Sequence, residues 1–445
     1  MISNESGYSE AFVWIWLPGA TEPVVEVKLI ADADKLIFNY GKSYLNRKNV
    51  ISIYDAELPL KPGVLPLRPG LAMPGCIRDG APDAWGRRVL INKKLGLKGV
   101  DADSVNLNEL TYLLESGSDR IGALDFQISA VDYVPRTSVN VTLDELLQSA
   151  ERVEKGIPLT TELDQALHHG SSIGGARPKA LIEDDSAKYI AKFSSSTDLF
   201  NVIKAEFVSM RLASLIGLNV APVALTKSSQ KDVLLVERFD RNLTGQGWQR
   251  KCMISALTLL GLDEMMARYA SYQDLSEIIR HIFTDVSTTL KELFSRLVFN
   301  ILSGNTDDHA RNHAAFWDGQ MLTLTPAYDI CPQSRSGNEA SQAMLISGDN
   351  RMSRISACLE AAHHFLLSEK DAAAIVEHQI FAISENWNTV CEEAGLSETD
   401  RAMLWGRQYL NPFVFDDLGR AYAYIARLAS EMRTAKKEKI SSSKY

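Results

Sequence analysis

The chain has 445 residues, too many for one hydrophobic core, and its 45% hydrophobic and 23% charged content is that of a folded globular protein with no long disordered stretch. A formal net charge of −9 argues against a dominant nucleic-acid or anionic-membrane surface and leaves room only for local basic patches. Cys76, Cys252, Cys331, Cys358 and Cys391 are odd in number, scattered and without a CxxC pair, which fits free thiols in a reducing cytoplasm; no apolar run reaches the roughly 18 residues of a membrane span, and the start of the chain lacks the shape of a signal peptide.

In chain order, residues 12–17, 24–30 and 36–38 are rich in β-branched and aromatic residues and predict strands, with 51–54 as a further one. Asp83 opens a helix through Leu90, in which Arg87 and Arg88 are expected to pair with local acids. Residues 107–114 predict a short helix, 121–126 a returning strand, and 141–169 a polar helix with Leu143, Leu146 and Leu147 inward.

Three glycines and two serines then fall in Gly170-Ser171-Ser172-Ile173-Gly174-Gly175, just before a strand. Bare amides in such a turn can wrap phosphates, but Ala176 stands where a Walker A loop has its lysine, and a plain flexible loop fits equally. Lys192 ends the apolar strand 189–193, either reaching inward to phosphates or solvated at an edge. The helix 204–216 carries Glu206 in its first half and ends at Gly217; a strand lysine followed by a helix glutamate repeats protein-kinase logic. Residues 233–241 predict a strand that leaves into a polar loop, and 252–445 are expected to be almost wholly helical apart from one stretch. The last helix is expected to bury Leu418, Ala421, Ile425, Leu428 and Met432, with a basic, Ser-rich, fraying tail from Lys436.

That one stretch is Asn300 to Asn312, with Asp329 beyond it. Val286, Leu290, Leu293, Phe294, Leu297, Val298 and Ile301 have the spacing of a buried helical face, and Gly304-Asn305 stop it. Asp318-Gly319 predicts a hairpin turn, with 321–325 returning. Phosphoryl transfer needs one carboxylate to take a hydroxyl proton, and an amide and a second carboxylate to hold magnesium on the nucleotide. Protein-kinase loops space that Asp and Asn five apart and add a later Asp. Asp307, Asn312 and Asp329 repeat the pattern, although a capped Asp/Asn-rich turn has the same composition. His309 and His313 lie four apart, but Ala310 stands where a metalloprotease helix has Glu, which argues against zinc.

Taken together, Ser171 to Lys179, Ile190 to Phe193, Val236 to Arg241, Asn305 to Asn312 and Leu324 to Asp329, in this order, resemble the HipA-type serine/threonine kinases, bacterial toxins of toxin–antitoxin pairs. Residues 40–45 and 83–87 extend the resemblance over nearly the whole chain. It implies an α+β, bilobal, protein-kinase-like fold. The expected parts are an N-terminal subdomain over 1–135, a nucleotide lobe over 136–250 and a helical lobe over 251–445, with the cleft between lobes and 170–179 as its lid. ATP and magnesium are the implied cofactors.

The resemblance also implies roles: Asp307 as catalytic base, Asn312 and Asp329 as magnesium ligands, and Lys192 on the ATP phosphates. Glu237 and Phe239 match the adenine hinge, and Asp240 the ribose contact. Ser172, Ile173, Gly174 and Gly175 belong to the loop over the nucleotide, with His309 and Tyr328 also beside it. Ser172 falls where the family carries an autophosphorylated serine that switches the kinase off; Ser171 is the alternative, because paired Gly174-Gly175 and Pro178 depart from the best-known pattern. A protein substrate, possible as an aminoacyl-tRNA synthetase in the family, and a small DNA-binding antitoxin are the implied partners, with no direct nucleic-acid or membrane contact. The competing readings are a lipid or small-molecule kinase of related fold, and a weakly active corepressor in an antitoxin–DNA complex.

Overall fold

The computed structural model describes residues 7–97, 106–137, 141–155, 157, 177–195, 198–335 and 337–442. The Gly-rich stretch with Ser171, Ser172, Ile173, Gly174 and Gly175 lies outside them, as does most of the predicted helix beyond residue 154. The chain forms two compact units. The first comprises Met1–Asp198, Thr226–Asp263 and Ala315–Met321, and the second Leu199–Leu225, Glu264–Ala314 and Leu322–Tyr445. The boundaries expected after 135 and 250 cut the chain at single points, whereas these units interleave. Strand pairing and helix packing join segments that sequence order keeps apart.

The first unit holds two larger sheets and the two-stranded hairpin Arg241–Arg250. Alternating apolar residues build β1 (Glu10–Ile15), β2 (Val24–Asp32) and β3 (Lys35–Tyr40), which with β4 (Val64–Leu65) and β5 (Leu124–Gln127) form an antiparallel sheet in the order β4-β3-β2-β1-β5. A register shift between Val13 and Trp14 marks a bulge. Residues 51–54, whose β-branched content predicts a strand, do not form one. They form a buried loop: Tyr44 Oη donates to the Ile51 carbonyl at 2.7 Å, and Trp317 Nε1 to that of Ser52 at 2.8 Å. The Asp318-Gly319 turn sits against it. Gly319 has φ +101°, and a Cβ there would lie 2.4 Å from Ile51 Cγ2, so only glycine fits.

Three helices accompany the sheets, the first and third on the second sheet and the middle one against β1 and β5 of the first. They are α1 (Ala84–Leu95), ended by left-handed Gly96, α2 (Glu109–Glu115), capped by Asn108, and α3 (Leu143–Glu154), opened by a Thr142/Glu145 capping box. Arg87 pairs with Glu109 at 2.6 Å, as its place beside local acids suggested. β6 (Lys179–Glu183), β7 (Lys188–Phe193) and β8 (Lys231–Glu237) are antiparallel neighbours. One face of this sheet, through Ala191, Phe193 and Val233, packs on Trp85 and Val89 of α1 and on Leu146, Leu147, Ala150 and Val153 of α3.

The second unit is mainly helical: α4 (Val202–Leu215), α5 (Tyr272–Ile282), α6 (Val286–Ser303), α7 (Ile355–Ala361), α8 (Glu369–Glu393) and α9 (Ala423–Ser442). The predicted inner face of α6 is inside, with Leu290, Leu293, Phe294, Leu297, Val298 and Ile301 all fully buried. α4 is tied to the end of α8 by Lys204 Nζ, 2.7 Å from the Gly395 carbonyl, and by Arg211 with Glu393 at 3.0 Å. The expectation of continuous helix fails over residues 326–354, which run as loops and isolated bridges; Pro326, Pro332 and two glycines break any helical period there. Helix α9 begins only at Ala423, so Leu418 and Ala421 lie before it, and among its described side chains Ile425 and Ala429 are buried. Its backbone stays helical to Ser442, beyond the expected fray point. Among the described residues no helix is long and apolar enough to cross a membrane, and all five cysteines are free and buried.

Candidate active site

The predicted site residues divide between the units. Lys192, Glu237, Phe239 and Asp240 belong to the first; Asp307, His309, Asn312, Tyr328 and Asp329 belong to the second.

In the first unit, strand pleating decides what each residue faces. Lys192 pairs in register with Leu234 and with Lys179, so all three share the sheet face opposite the α1/α3 layer. Two lysines at adjacent register positions concentrate positive charge there. Lys179 is buried, and the sequence had not singled it out for this face. Alternation continues past the end of β8. Glu237 and Phe239 are half-buried, whereas Arg238 and Asp240 point into the core. Phe239 meets Phe316 edge-on at 5.9 Å.

Asp240, expected to reach a ribose, has its carboxylate engaged elsewhere. It accepts from Arg238 Nε at 3.0 Å and Nη2 at 2.8 Å, from Arg241 Nη1 at 2.9 Å, and from the Gly122 amide at 2.8 Å. Asp119 accepts from the same two guanidiniums, at 3.0 and 2.7 Å, and from Lys188 at 3.0 Å. Burial drives the Asp240 carboxyl upward, but the Arg238 and Arg241 charges outweigh it and hold it at about 2. This cluster ties the end of β8 to the 119–122 turn of the N-terminal segment.

In the second unit, α6 delivers the loop. Gly304 closes the helix at φ +74°, its amide bonding to the carbonyls of Asn300 and Ile301. A Cβ at Gly304 would lie 2.9 Å from the Gln408 carbonyl. Gly304→Ala is therefore expected to cost roughly 1–3 kcal/mol, from left-handed backbone strain and that contact, and to lower the melting temperature in a thermal unfolding scan. Asn305 continues the stop, with Nδ2 3.0 Å from Asn300 Oδ1.

Asp307 and Asp308 then point opposite ways. Asp307 is exposed. Asp308 is buried, its carboxylate 3.0 Å from His313 Nε2 and bonded by the Tyr272 hydroxyl of α5. Burial raises the Asp308 carboxyl, and His313 and Tyr272 more than compensate, leaving it below the usual range. Tyr272, raised by burial and by Asp308, stays a neutral donor. His313 is thus engaged with Asp308 and Tyr272, and no group of three or more metal-binding side chains occurs among the described residues. His309 is half-buried, with an Nδ1 that makes no hydrogen bond.

The loop closes on itself. Asn312 Nδ2 donates to the Asp307 carbonyl at 3.2 Å, which orients the amide. Tyr328 Oη donates to the Arg311 carbonyl at 2.7 Å. Ala327 is held on both sides of the peptide, its amide 2.7 Å from the Asn219 carbonyl and its own carbonyl 2.9 Å from the Ala221 amide. Asp329, two residues on, adopts φ +61°, a left-handed conformation that side-chain-bearing residues hold only where the surroundings impose it. One amide oxygen and one carboxylate are the hard oxygen donors that magnesium takes, so this pair fits that ion.

Sequence reasoning did not find Tyr272, whose partner lies 36 residues away. It passed over Asp308, for which the adjacent pair of aspartates was the available signal.

The HipA-like C-terminal domain family matches residues 171–387, just under half of the 445-residue chain. Over 147 residues the sequence is 31% identical to the Y4mE protein of Sinorhizobium fredii, and over 161 residues 27% identical to the serine/threonine-protein kinase toxin HipA of Shewanella oneidensis. These stretches cover 32% and 33% of this chain and about a third of the relatives, 33% and 36% of their lengths. The solved HipA of a Shewanella oneidensis HipA, HipB and operator DNA complex superposes with a TM-score of 0.62 over 96% of this chain and 97% of that one, at 19% identity. That is a likeness of fold between this mixed α and β chain and the solved HipA.

Proposed function

We propose, from the match of residues 171–387 to the HipA-like C-terminal domain family, that the protein is an ATP- and magnesium-dependent serine/threonine protein kinase acting as a growth-arresting toxin of a toxin–antitoxin pair. The observation that carries this reading is the second-unit loop. One aspartate is open to solvent, its neighbour is anchored in the core, and an asparagine is oriented by the first one's carbonyl.

In this reading Asp307 accepts the proton of the acceptor hydroxyl as it attacks the γ-phosphoryl group. The Asn312 amide oxygen and the Asp329 carboxylate would hold magnesium, which would supply positive charge against the phosphates. Lys192, with Lys179 beside it on the same sheet face, holds phosphate oxygens. The half-buried Glu237–Phe239 segment receives adenine, and Arg238 and Asp240 brace it from within. His309, within the loop, and Tyr328, whose hydroxyl bonds the Arg311 carbonyl, are the proposed further contacts of the nucleotide.

Ser172, or Ser171 next to it, is the proposed autophosphorylation site. A phosphate of about −2 charge on a loop over the nucleotide phosphates repels ATP and switches the enzyme off. The proposed partners are a protein substrate and a small DNA-binding antitoxin, in the cytoplasm.

The test is intact mass after incubation with ATP and magnesium, followed by peptide mapping. A gain of one phosphate on Ser172 is the expected result, and on Ser171 it moves the switch by one residue. A folded, previously unphosphorylated protein that binds no ATP would overturn the proposal.

A further inference from the structure

Resting on the kinase reading above, the geometry points to residues 264–270 as a docking surface for the acceptor polypeptide, one that reads an apolar side chain near the acceptor serine or threonine. Met265 is 84% exposed, Met266 44% and Tyr269 48%, three large apolar side chains within five residues. Scattered exposed apolar residues need no explanation, but a group held rigidly in one short turn marks a contact surface. Methionine in particular adapts its shape to varied apolar partners.

The turn is rigid and indexed to the catalytic loop at three points. It is closed by the Tyr269 amide on the Met266 carbonyl at 2.9 Å and the Ala270 amide on the Ala267 carbonyl at 3.0 Å. Its first residue, Glu264, pairs at 2.5 Å with Arg311, between Asp307 and Asn312. Its last, Ala270, accepts at 2.9 Å from the Leu345 amide, and two residues before Leu345 the Ala343 amide donates at 3.0 Å to Thr306, which immediately precedes Asp307. The chain then enters α5, whose Tyr272 bonds Asp308. An apolar tip fixed in this way to both neighbours of the base holds a constant relation to Asp307, which is what a surface that aligns an acceptor hydroxyl requires.

Charge completes the match to a polypeptide. The exposed Arg268 stacks on Tyr269, 4.9 Å from the ring, and Arg351 donates to the Arg268 carbonyl at 2.6 Å. Glu264 is spent on Arg311. The tip is therefore apolar with a cationic flank, complementary to a segment carrying an apolar residue and an acidic one.

The test uses the full chain with magnesium-ATP on a positional-scanning library of serine peptides. Wild type is expected to prefer Leu, Met or Phe over Ser at one flanking position by about 10-fold, the discrimination that an added apolar side chain gives. Met265→Ser/Met266→Ser is expected to lose that preference, with KM for the favoured peptide raised about 10-fold and kcat and the KM for ATP unchanged. Met265→Leu/Met266→Leu is expected to keep it, and Arg268→Glu to turn a preference for acidic residues into one for basic residues.

An unchanged preference in the double serine variant overturns the inference. So does a change in oligomeric state by light scattering without a change in preference, which would assign the tip to a second copy. Peptides left unlabelled by an enzyme that labels itself also overturn it, leaving the kinase reading intact. No ATP-dependent phosphoryl transfer of any kind removes the kinase reading and this inference together.

Discussion

Asp307→Asn is expected to reduce phosphoryl transfer about 10²- to 10⁴-fold, the usual range for loss of a positioned general base. The amide keeps the shape and hydrogen-bonding reach of the carboxylate but cannot take a proton. Structure should survive. Asp307 is exposed, Asn312 donates to its backbone carbonyl, which the substitution leaves in place, and an asparagine keeps the side chain's hydrogen-bonding atoms. Stability is therefore expected to stay within about 0.5 kcal/mol of wild type. The check is phosphate incorporation from labelled ATP, read beside the melting curve and the nucleotide affinity. Full turnover in a folded, ATP-binding variant would show that Asp307 is not the base. A collapse of stability would instead make Asp307 an anchor of the loop, as Asp308 is.

The largest structural effect is expected at Asp240, far along the chain from that loop. Asp240→Ala removes an acceptor of four hydrogen bonds and leaves Arg238 and Arg241, both buried, sharing Asp119. Breaking a buried ion pair on one side costs about 3–5 kcal/mol, because the stranded charge has no water to replace its partner. A fall in melting temperature of roughly 10 °C follows for a unit of this size. Nucleotide affinity is expected to weaken as well, since the end of β8 loses its brace.

The pH dependence has a definite sign. The folded carboxyl titrates at about 2, below an ordinary aspartate near 3.9. Its stabilising contribution is thus fully present above about pH 4 and is lost as pH falls toward 2. In Asp240→Asn, acid unfolding over that window is expected to be less steep than in wild type, measured by denaturant titration at pH 2 to 5. An Asp240→Ala protein as stable as wild type would show that the cluster is not what holds this end of the sheet.

Legibility differed by residue, for physical reasons. The end of α6 was readable because the signals that stop a helix, Gly304 and Asn305, act within a few residues of what they stop. The α3 start carries an equally local signal, a Thr142/Glu145 capping box, which the expectation of a helix from 141 did not use. Residues 51–54 misled because β-branched residues favour any half-buried extended backbone. Whether they pair depends on a neighbour, and that neighbour is the hairpin turn at Gly319, 268 positions beyond Ile51. Residues 326–354 misled because a helical surrounding was extended over a stretch whose prolines and glycines argued otherwise.

The sequence by itself determined the local chemistry: the spacing of Asp307, Asn312 and Asp329, a lysine on a strand, a glycine-stopped helix, and the resemblance these carry together. Side-chain direction was decided by tertiary structure alone. Two adjacent aspartates are indistinguishable as letters, yet Tyr272 and His313 draw Asp308 inward and leave Asp307 to solvent. The pleat after β8 turns Asp240 into the core and leaves Glu237 and Phe239 on the open side. The left-handed turn at Asp329 follows a peptide at Ala327 that residues 219 and 221 hold from both sides. A carboxylate takes its role from whether it meets water or a buried donor, and that partner is brought by the fold from a distant part of the chain.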